Sequence, residues 1–202
     1  MLWPTLSVAG SALRLFCVLR SCVAVADNLG MSIIRSYKGK TPAVGNGTFL
    51  AETAVLVGDV VVGDRSSIWY HTVLRGDVFH IRIGDEVSLQ DNTVVHVTSG
   101  RHPTIVGNRV TVGHSVVLHG CTIGHRCIIG MGAIVMDRAT VGNDCIVGAG
   151  ALVTPGTDIP AGHLVIGSPA RPKRKLTDAE LAWVGSSADH YVELAAGYLA
   201  GS

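Results

Sequence analysis

The sequence predicts an all-β solenoid of short strands, and two regular features of the chain support this prediction. The first is a ladder of aliphatic residues at every sixth position from Val117 to Val165. The second is the glycine that follows several ladder residues, as in Ile123-Gly124 and Ile129-Gly130. A period of six matches neither the 3.6-residue period of a helix nor the alternation of a single long strand. It is typical of stacked coils that each have three short faces.

The same period begins earlier in the chain, where it is less regular. Four aliphatic residues are six apart in that part of the sequence: Leu56, Val62, Ile68 and Leu74. The register slips before Val87 and again over residues 98–107, where two glycines and a proline predict a loop that leaves the coil. From Val110 onward the sequence predicts uninterrupted coils.

A second column of the same period contains only small residues: Ser115, Cys121, Cys127, Ala133, Ala139, Cys145 and Ala151. Such a column is expected at a tight corner of the coil, so we interpret its cysteines as core packing. The odd total of five cysteines does not predict a framework of paired disulfides. Reduced thiols suit the cytoplasm, or a mitochondrial matrix, better than an export route.

The chain divides into three predicted parts: a leader over residues 1–30, a solenoid over 31–170 and a helical segment over 171–202. The leader carries no acid before Asp27 and has an apolar stretch. We expect a targeting peptide, for mitochondria or export, or sequence upstream of a start at Met31, and a structured N-terminal helix is the third alternative.

The C-terminal segment opens with the basic run Arg171 to Lys175, which we interpret as a solvated connector. Thr177 and Glu180 have the spacing of a capping box and predict the start of a helix. A second helix is expected from Ser187 to Leu199, after a break at a glycine and a serine.

The charge and hydropathy of the chain exclude two classes of function. A net charge of +1 argues against nucleic-acid binding, which usually requires a strong basic surplus. Charges interrupt every apolar run that approaches the roughly 18 residues of a membrane span, so no transmembrane segment is predicted.

Three of the nine histidines stand in or beside strand-like segments: His96, His114 and His119. On a straight strand the five-residue step from His114 to His119 spans about 16 Å, far beyond the roughly 2.1 Å bonds of one zinc ion. Two solenoids packed side by side can each contribute one of these histidines. The spacing leaves two interpretations open, a metal site shared between subunits and solvated histidines.

Further polar residues precede these histidines. Arg75 and Asp77 point the same way on a strand and can pair internally or with a neighbouring subunit. Gln90 and Asp91 stand shortly before His96. Each of these residues alone is an ordinary polar residue of a protein surface.

Together, these strings resemble the gamma-class carbonic anhydrases. The resemblance rests on RGD at 75–77, QD at 90–91, and the GH, HG and IGMGA strings between 113 and 133. It covers about Ile33 to Ala170, and the closing LAAGY extends it to Tyr198. It implies a left-handed parallel β-helix, that is, a hexapeptide-repeat solenoid with a C-terminal α-helix, assembled as a homotrimer.

The resemblance also implies a metal at each subunit boundary. His96 and His119 match ligands given by one subunit, and His114 matches the ligand given by the adjacent subunit. The implied metal is zinc, with iron or cobalt possible. A metal-bound hydroxide then hydrates carbon dioxide reversibly to bicarbonate, and Gln90 matches the side chain near the metal-bound water.

Other matches surround this implied centre. Arg75 and Asp77 match the family's inter-subunit ion pair, and Asp91 matches a carboxylate that shapes the pocket. Tyr191 falls near a C-terminal pocket position.

The sequence departs from the family pattern at positions around the implied metal, including those that would carry away the proton released by carbon dioxide hydration. Val78 stands in place of an active-site glutamate, and Ser88 in place of a pocket asparagine. The loop at 98–107 lacks the family's proton-shuttle glutamate, which leaves His102 or buffer as the relay and predicts low activity.

Three functions therefore remain in consideration. The first is a metal-dependent carbonic anhydrase. The second is a weakly active or inactive structural trimer of the same fold, of the kind found in mitochondrial respiratory complexes. The third is a hexapeptide acyltransferase, which the GSPARP string at 167–172 suggests and which acyl-CoA binding would reveal.

Overall fold

The computed structural model describes residues 32–201, which form a three-faced β-solenoid followed by a long helix. The predicted leader, residues 1–30, lies outside the described residues, so the predicted division of the chain stays a prediction. The predicted parallel solenoid with a C-terminal helix is confirmed.

The elements follow one another as short strands and a final helix. In chain order they are β1 (Ile33–Arg35), β2 (Ala43–Val44), β3 (Phe49–Leu50), β4 (Val55–Val62), β5 (Ser67–Ile68), β6 (Val73–Ile83), β7 (Ser88–Leu89), β8 (Val94–His96), β9 (Thr104–Val106), β10 (Thr111–Val112), β11 (Val117–His119), β12 (Thr122–Ile123), β13 (Ile128–Ile129), β14 (Ile134–Val135), β15 (Thr140–Val141), β16 (Ile146–Val147), β17 (Leu152–Val153), β18 (Asp158–Ile159), β19 (His163–Gly167), β20 (Ala170–Lys175) and α1 (Asp178–Gly201).

The strands fall into three faces, and within each face every strand pairs in parallel with the strand one coil away. The first face contains β1, β8, β11, β14 and β17, and the second contains β2, β9, β12, β15 and β18. The long strands β4 and β6 bend across the corner between these two faces and pair with strands of both. The third face contains β3, β5, β7, β10, β13, β16 and β19.

The interior of the solenoid is filled by about one large side chain from each face of each coil. The predicted ladder residues from Ile123 to Val165 are all at most 1% exposed. So are the four earlier ladder residues that begin at Leu56. The cysteines of the small-residue column, Cys121, Cys127 and Cys145, are buried and free, as expected of core packing.

Glycines allow the coils to approach each other at the corners. The amide of Asp64 donates to the carboxylate of Asp85 one coil away (2.8 Å), and the amide of Asp85 donates to Asn108 (3.2 Å). A Cβ atom at Gly63 would overlap the Asp85 carboxylate and the backbone of Gly84. Gly63, which follows the ladder residue Val62, is therefore required for the side chains to stack along this corner.

The start of the predicted ladder is wrong by one residue. Leu118 is fully buried and Val117 is only half-buried, while Val116 rather than Ser115 occupies the small-residue column. The corner between β11 and β12 is one residue short, because Leu118 pairs with Val135 and the next inward pair is Ile123 with Val141. Gly120, at φ 58°, makes this tighter turn possible.

The predicted loop over 98–107 is too long at its C-terminal end. Residues 104–106 form β9, in which Thr104 and Val106 are buried. The Thr104 hydroxyl donates to the carbonyl oxygen of His96 (2.5 Å) and accepts from the amide of Gly120 (2.9 Å). These bonds close the loop and return the chain to the coil.

The interpretation of Arg171 to Lys175 as a connector is also wrong. This run belongs to β20, which pairs antiparallel with β19 and continues the third face beyond the last parallel strand. Gly167, at φ 103°, lies in the turn between the two strands, and Ala170 is fully buried. Arg174 forms an ion pair with Glu180 of α1 (2.7 Å), so β20 also helps to fix the start of the helix.

The capping box is confirmed, because the amide of Thr177 donates to Glu180 (2.8 Å) and the amide of Glu180 donates to the Thr177 hydroxyl (3.3 Å). The predicted break after Gly185 is wrong, since α1 continues without interruption to Gly201. One interior glycine costs only about 1 kcal/mol, which tertiary packing outweighs. Val184, Ala188 and Ala195 are buried where α1 packs against the third face.

Arg109 joins the helix to the solenoid. Its guanidinium donates to the carboxylates of Glu86 (2.5 Å) and Asp189 (2.8 Å) and to the carbonyl of Gly185 (3.2 Å). The hydrogen bond with Asp189 and the one with Glu86 raise the pKa of Arg109 despite its partial burial. In the described part of the chain, no helix combines the length and apolarity needed to cross a lipid bilayer.

The shifted register gives a direct test of the core. We expect Leu118→Ala to lower the free energy of unfolding by about 2–5 kcal/mol, because it leaves a cavity in a core without spare room. Val117→Ala, at the adjacent half-buried position, should cost less than about 1 kcal/mol. Urea unfolding at a fixed protein concentration measures both, and equal costs would contradict the register.

The anchoring of α1 by Arg109 is tested by hydrogen exchange. We expect Arg109→Ala to raise the exchange rates of α1 amides by about two- to five-fold, since partly exposed ion pairs contribute up to about 1 kcal/mol. Arg126→Ala is the matched control, because Arg126 pairs with Asp144 at an equivalent turn and not with the helix. Equal effects of both variants on α1 would contradict the anchoring role.

Candidate metal centre

Two of the predicted ligands, His96 and His119, lie side by side on the first face. They end β8 and β11, and the parallel register pairs them directly although they are 23 residues apart in sequence. Nδ1 of His96 is 3.1 Å from Nε2 of His119. The loop between β8 and β9 accounts for the additional residues of this coil and leaves the pairing in register.

Arg75 and Asp77, both on β6, lie beside His96 at the end of β8. The carboxylate of Asp77 lies 3.1 Å from Nε2 of His96 and accepts from the Arg75 guanidinium at 2.5 Å. Burial alone would raise the pKa of Asp77, but the hydrogen bonds from His96 and Arg75 outweigh it and lower the pKa. Burial also lowers the pKa of His96, which favours the neutral imidazole that binds metals. Within one chain, Arg75 and Asp77 pair with each other.

Asp137 is a site residue that the sequence reasoning missed. Its carboxylate lies 3.1 Å from Nδ1 of His119 and accepts from the Thr98 hydroxyl at 2.6 Å. Burial alone would raise the pKa of Asp137, but the hydrogen bonds from Thr98 and His119 lower it below its ordinary value. The 18-residue separation from His119 equals three hexads, but the corner after Leu118 is one residue short, so the period alone does not place Asp137 beside His119.

His114 lies apart from this pair, in the turn between β10 and β11 at the corner of the third and first faces. Its Nδ1 is 2.7 Å from the carboxylate of Asp91, and about half of its side chain is exposed. Among residues 32–201, no three side chains of His, Cys, Asp or Glu converge as a metal site within one chain. The chain therefore brings together two of the three predicted ligands.

Gln90 and Tyr191 lie on the same side as His114. All three line a cavity of about 630 Å³ between the third face and α1. Burial raises the pKa of Tyr191, and the negative charge of Asp91 adds to the effect. The predicted site residues thus divide into one group around His96 and His119 and another around His114.

His102 stands in the loop between β8 and β9, close to Asp137. A Cβ atom at Gly120 would overlap the Asp137 carboxylate and approach Cβ of His102 to 3.0 Å. The charge of His102 is one of the smaller causes that lower the Asp137 pKa. His102 is therefore a loop imidazole that stands next to Asp137, the carboxylate that contacts His119.

The two departures from the family pattern have different surroundings. Val78 is 38% exposed on β6, directly after Asp77. Ser88 is buried on β7, where its hydroxyl accepts from the indole N–H of Trp69 (3.0 Å). Ser88 is thus engaged with an aromatic side chain of the third face.

The arrangement of His96 and His119 fits a metal ion. Two ligand nitrogens at tetrahedral corners around zinc are about 3.3–3.4 Å apart, given bonds of roughly 2.0–2.1 Å. The observed 3.1 Å is close to this separation. Each ring also has a carboxylate at its other nitrogen, an arrangement that is general among metal-binding histidines.

Comparisons with known proteins agree with this fold. The family profile described as "Bacterial transferase hexapeptide (six repeats)" matches residues 120–155. The chain is 43% identical to a solved structure titled as a hexapeptide transferase family protein from Anaplasma phagocytophilum. That comparison has a TM-score of 0.79 and covers 82% of this chain and 98% of the other.

Two curated relatives carry a more specific name. "Gamma carbonic anhydrase 1, mitochondrial" of Arabidopsis thaliana is 48% identical over 80% of this chain, and the match spans 60% of its own length. "Carbonic anhydrase" of Geobacillus kaustophilus is 42% identical over 80% of this chain and 88% of its own length. Membership of such a family implies a metal cofactor. On these identities and this coverage, the chain belongs to the gamma-class carbonic anhydrase family.

Proposed function

We propose that this protein is a metal-dependent carbonic anhydrase that hydrates carbon dioxide reversibly to bicarbonate. The observation that carries the proposal is the pair of imidazole nitrogens of His96 and His119, 3.1 Å apart. A carboxylate at the far nitrogen of each ring supports it, because it leaves the near nitrogens free to bind a cation. The match with family members named carbonic anhydrase agrees with this chemistry.

The third ligand of the proposed centre is His114 of a neighbouring subunit. His114 stands at a different corner of the solenoid from His96 and His119, with Nδ1 on Asp91 and about half of its side chain exposed. A ring of three identical subunits joins these two corners head to tail at each boundary. Gln90 and Tyr191, which share the cavity beside His114, then also come to the boundary.

Zinc is the metal that the proposed ligand set suits best, although three imidazoles also accept iron or cobalt. When bound, such a metal would lower the pKa of a water molecule and so provide a nucleophile at neutral pH. The residues of the chain do the remaining work. His96 and His119 hold the cation, and Gln90 orients the reacting molecule by hydrogen bonding.

Turnover also requires a route for the released proton. Val78 cannot carry one, because its side chain has no titratable group. His102 in the loop between β8 and β9 stands beside Asp137, and we propose that its imidazole passes the proton to solvent. A single loop histidine in place of carboxylates is consistent with slow turnover.

The proposal is tested by metal analysis of the purified protein together with a carbon dioxide hydration assay. We expect about one zinc or iron per chain, with hydration that a chelator abolishes and zinc restores. A metal-free protein without hydration activity under reducing conditions would overturn the proposal.

A structural or assembly trimer of the same fold is the second candidate function. The exposed Val78 and the engagement of Ser88 with Trp69 favour it, because they remove two polar groups from the proposed pocket. Stoichiometric metal without measurable hydration would favour this candidate over the first. The cytoplasm is the proposed location for both candidates. The mitochondrial matrix is the alternative, which the name of the Arabidopsis relative supports.

The sharing of each metal between subunits predicts complementation. His119→Ala and His114→Ala chains each lack one ligand, so trimers of either variant should hold little metal and show no hydration. Mixed trimers, isolated by two different affinity tags, should regain about one metal and one active site per trimer, because one boundary has all three ligands. Metal content and hydration rate measure this recovery.

His163→Ala is the matched control for this experiment. His163 begins β19 and contacts backbone carbonyls of residues 160 and 161, away from both groups of site residues. Its trimers should retain full metal and activity. Mixed trimers that remain as inactive as the parent variants would contradict a centre shared between subunits.

A further inference from the structure

We infer that Asp137 is a positioning residue that fixes the tautomer and the orientation of His119. The inference rests on the proposed function, because it explains how this ring is prepared to bind the metal. Asp137 itself does not touch the proposed metal position. It acts through the far nitrogen of the His119 ring, at 3.1 Å.

The hydrogen bonds around Asp137 select one tautomer of His119. The ionised carboxylate can only accept, and its Oδ1 already accepts from the Thr98 hydroxyl (2.6 Å). Nδ1 of a neutral His119 must therefore carry the proton in the bond to Asp137. Nε2 then carries a lone pair, and Nε2 is the atom that faces His96.

The same argument applies to His96 from the opposite side. Its Nε2 donates to the carboxylate of Asp77, so its Nδ1 also carries a lone pair. The two lone pairs face each other across 3.1 Å. Two acceptors in this position repel each other unless both bind the same cation, and Asp77 and Asp137 therefore together prepare a cation site.

The backbone holds Asp137 in place independently of its side chain. The amide of Arg138 donates to the carbonyl of Gly120 (2.8 Å), which stacks the turn at 137–138 on the turn that follows His119. A Cβ atom at Gly120 would overlap the Asp137 carboxylate. The glycine after His119 thus leaves the space that the carboxylate occupies.

A carboxylate of this kind recurs at all three proposed ligands. Asp77 contacts His96, Asp91 contacts His114, and Asp137 contacts His119, each at 2.7–3.1 Å. Outer carboxylates restrict the rotation of ligand imidazoles and raise their basicity, and their loss typically costs about 10- to 100-fold in metal affinity. Asp137 completes this set.

The test compares Asp137→Asn with wild-type protein loaded with cobalt. Because an amide can present its NH2 group to Nδ1, the variant should bind cobalt about 10- to 100-fold more weakly in competition with a chelator. Its visible cobalt spectrum should change. In metal-free protein labelled with 15N-histidine, long-range nitrogen–proton correlation should show His119 as the Nδ1–H tautomer in the wild type and as a mixture in the variant.

Asp158→Asn is the matched control, because it makes the same change at an exposed position on the second face. It should leave the affinity, the spectrum and the tautomer as in the wild type. An Asp137→Asn protein with wild-type affinity, spectrum and tautomer would overturn the inference while metal-dependent hydration by the wild type leaves the proposed function intact. If the wild type binds no cobalt, the proposed function fails and the tautomer alone decides the role of Asp137.

Discussion

The structure depends on one repeated interaction, the parallel backbone hydrogen bonding of each coil to the next. Neighbouring strands lie about 4.8 Å apart in this direction, which fixes the distance between every residue and its partner one coil away. The amide of Thr111, for example, donates to the carbonyl of Cys127 (2.9 Å), and the amide of Ile128 donates to Cys145 (2.9 Å). Because each face of a coil contributes so few residues, there is room inside for only one large side chain per face.

The same stacking builds polar ladders on the outside of the solenoid. Along one corner, Asp64, Asp85 and Asn108 are linked from amide to side chain, and beside them Arg65, Glu86 and Arg109 alternate in charge. The pair of His96 and His119 is another product of the stack, since an in-register partner is all that is needed to bring the two rings together. The carboxylate of Asp137 comes from the next coil, where the turn at 137–138 stacks on Gly120, and it reaches Nδ1 of His119 from there.

The solenoid also limits where chemistry can occur. Its interior is filled by apolar side chains, so polar site residues lie on its surface, where one chain supplies only part of a coordination shell. The described chain divides the proposed site between the His96 and His119 pair on the first face and the His114 corner with its cavity beside α1. An interface between copies is the simplest way to unite these groups.

The sequence by itself determined the fold and most of the inward residues, because a six-residue period is a local property that each coil obeys in turn. The capping box of α1 and the packing of the three cysteines followed from equally local rules. Ser88 and Val78 were recognisable as departures from the family pattern, but the hydrogen bond of Ser88 to Trp69 was not.

Only the tertiary structure decided what depends on contacts between coils or between the solenoid and its helix. The short corner after Leu118 moved the register by one residue, and the packing of α1 carried it across Gly185 where local propensity predicted a break. Thr104 returned the loop to the coil earlier than its glycines and proline suggested. Asp137 gives no local sign of its contact with His119, since the two residues meet only when one coil is stacked in register on another.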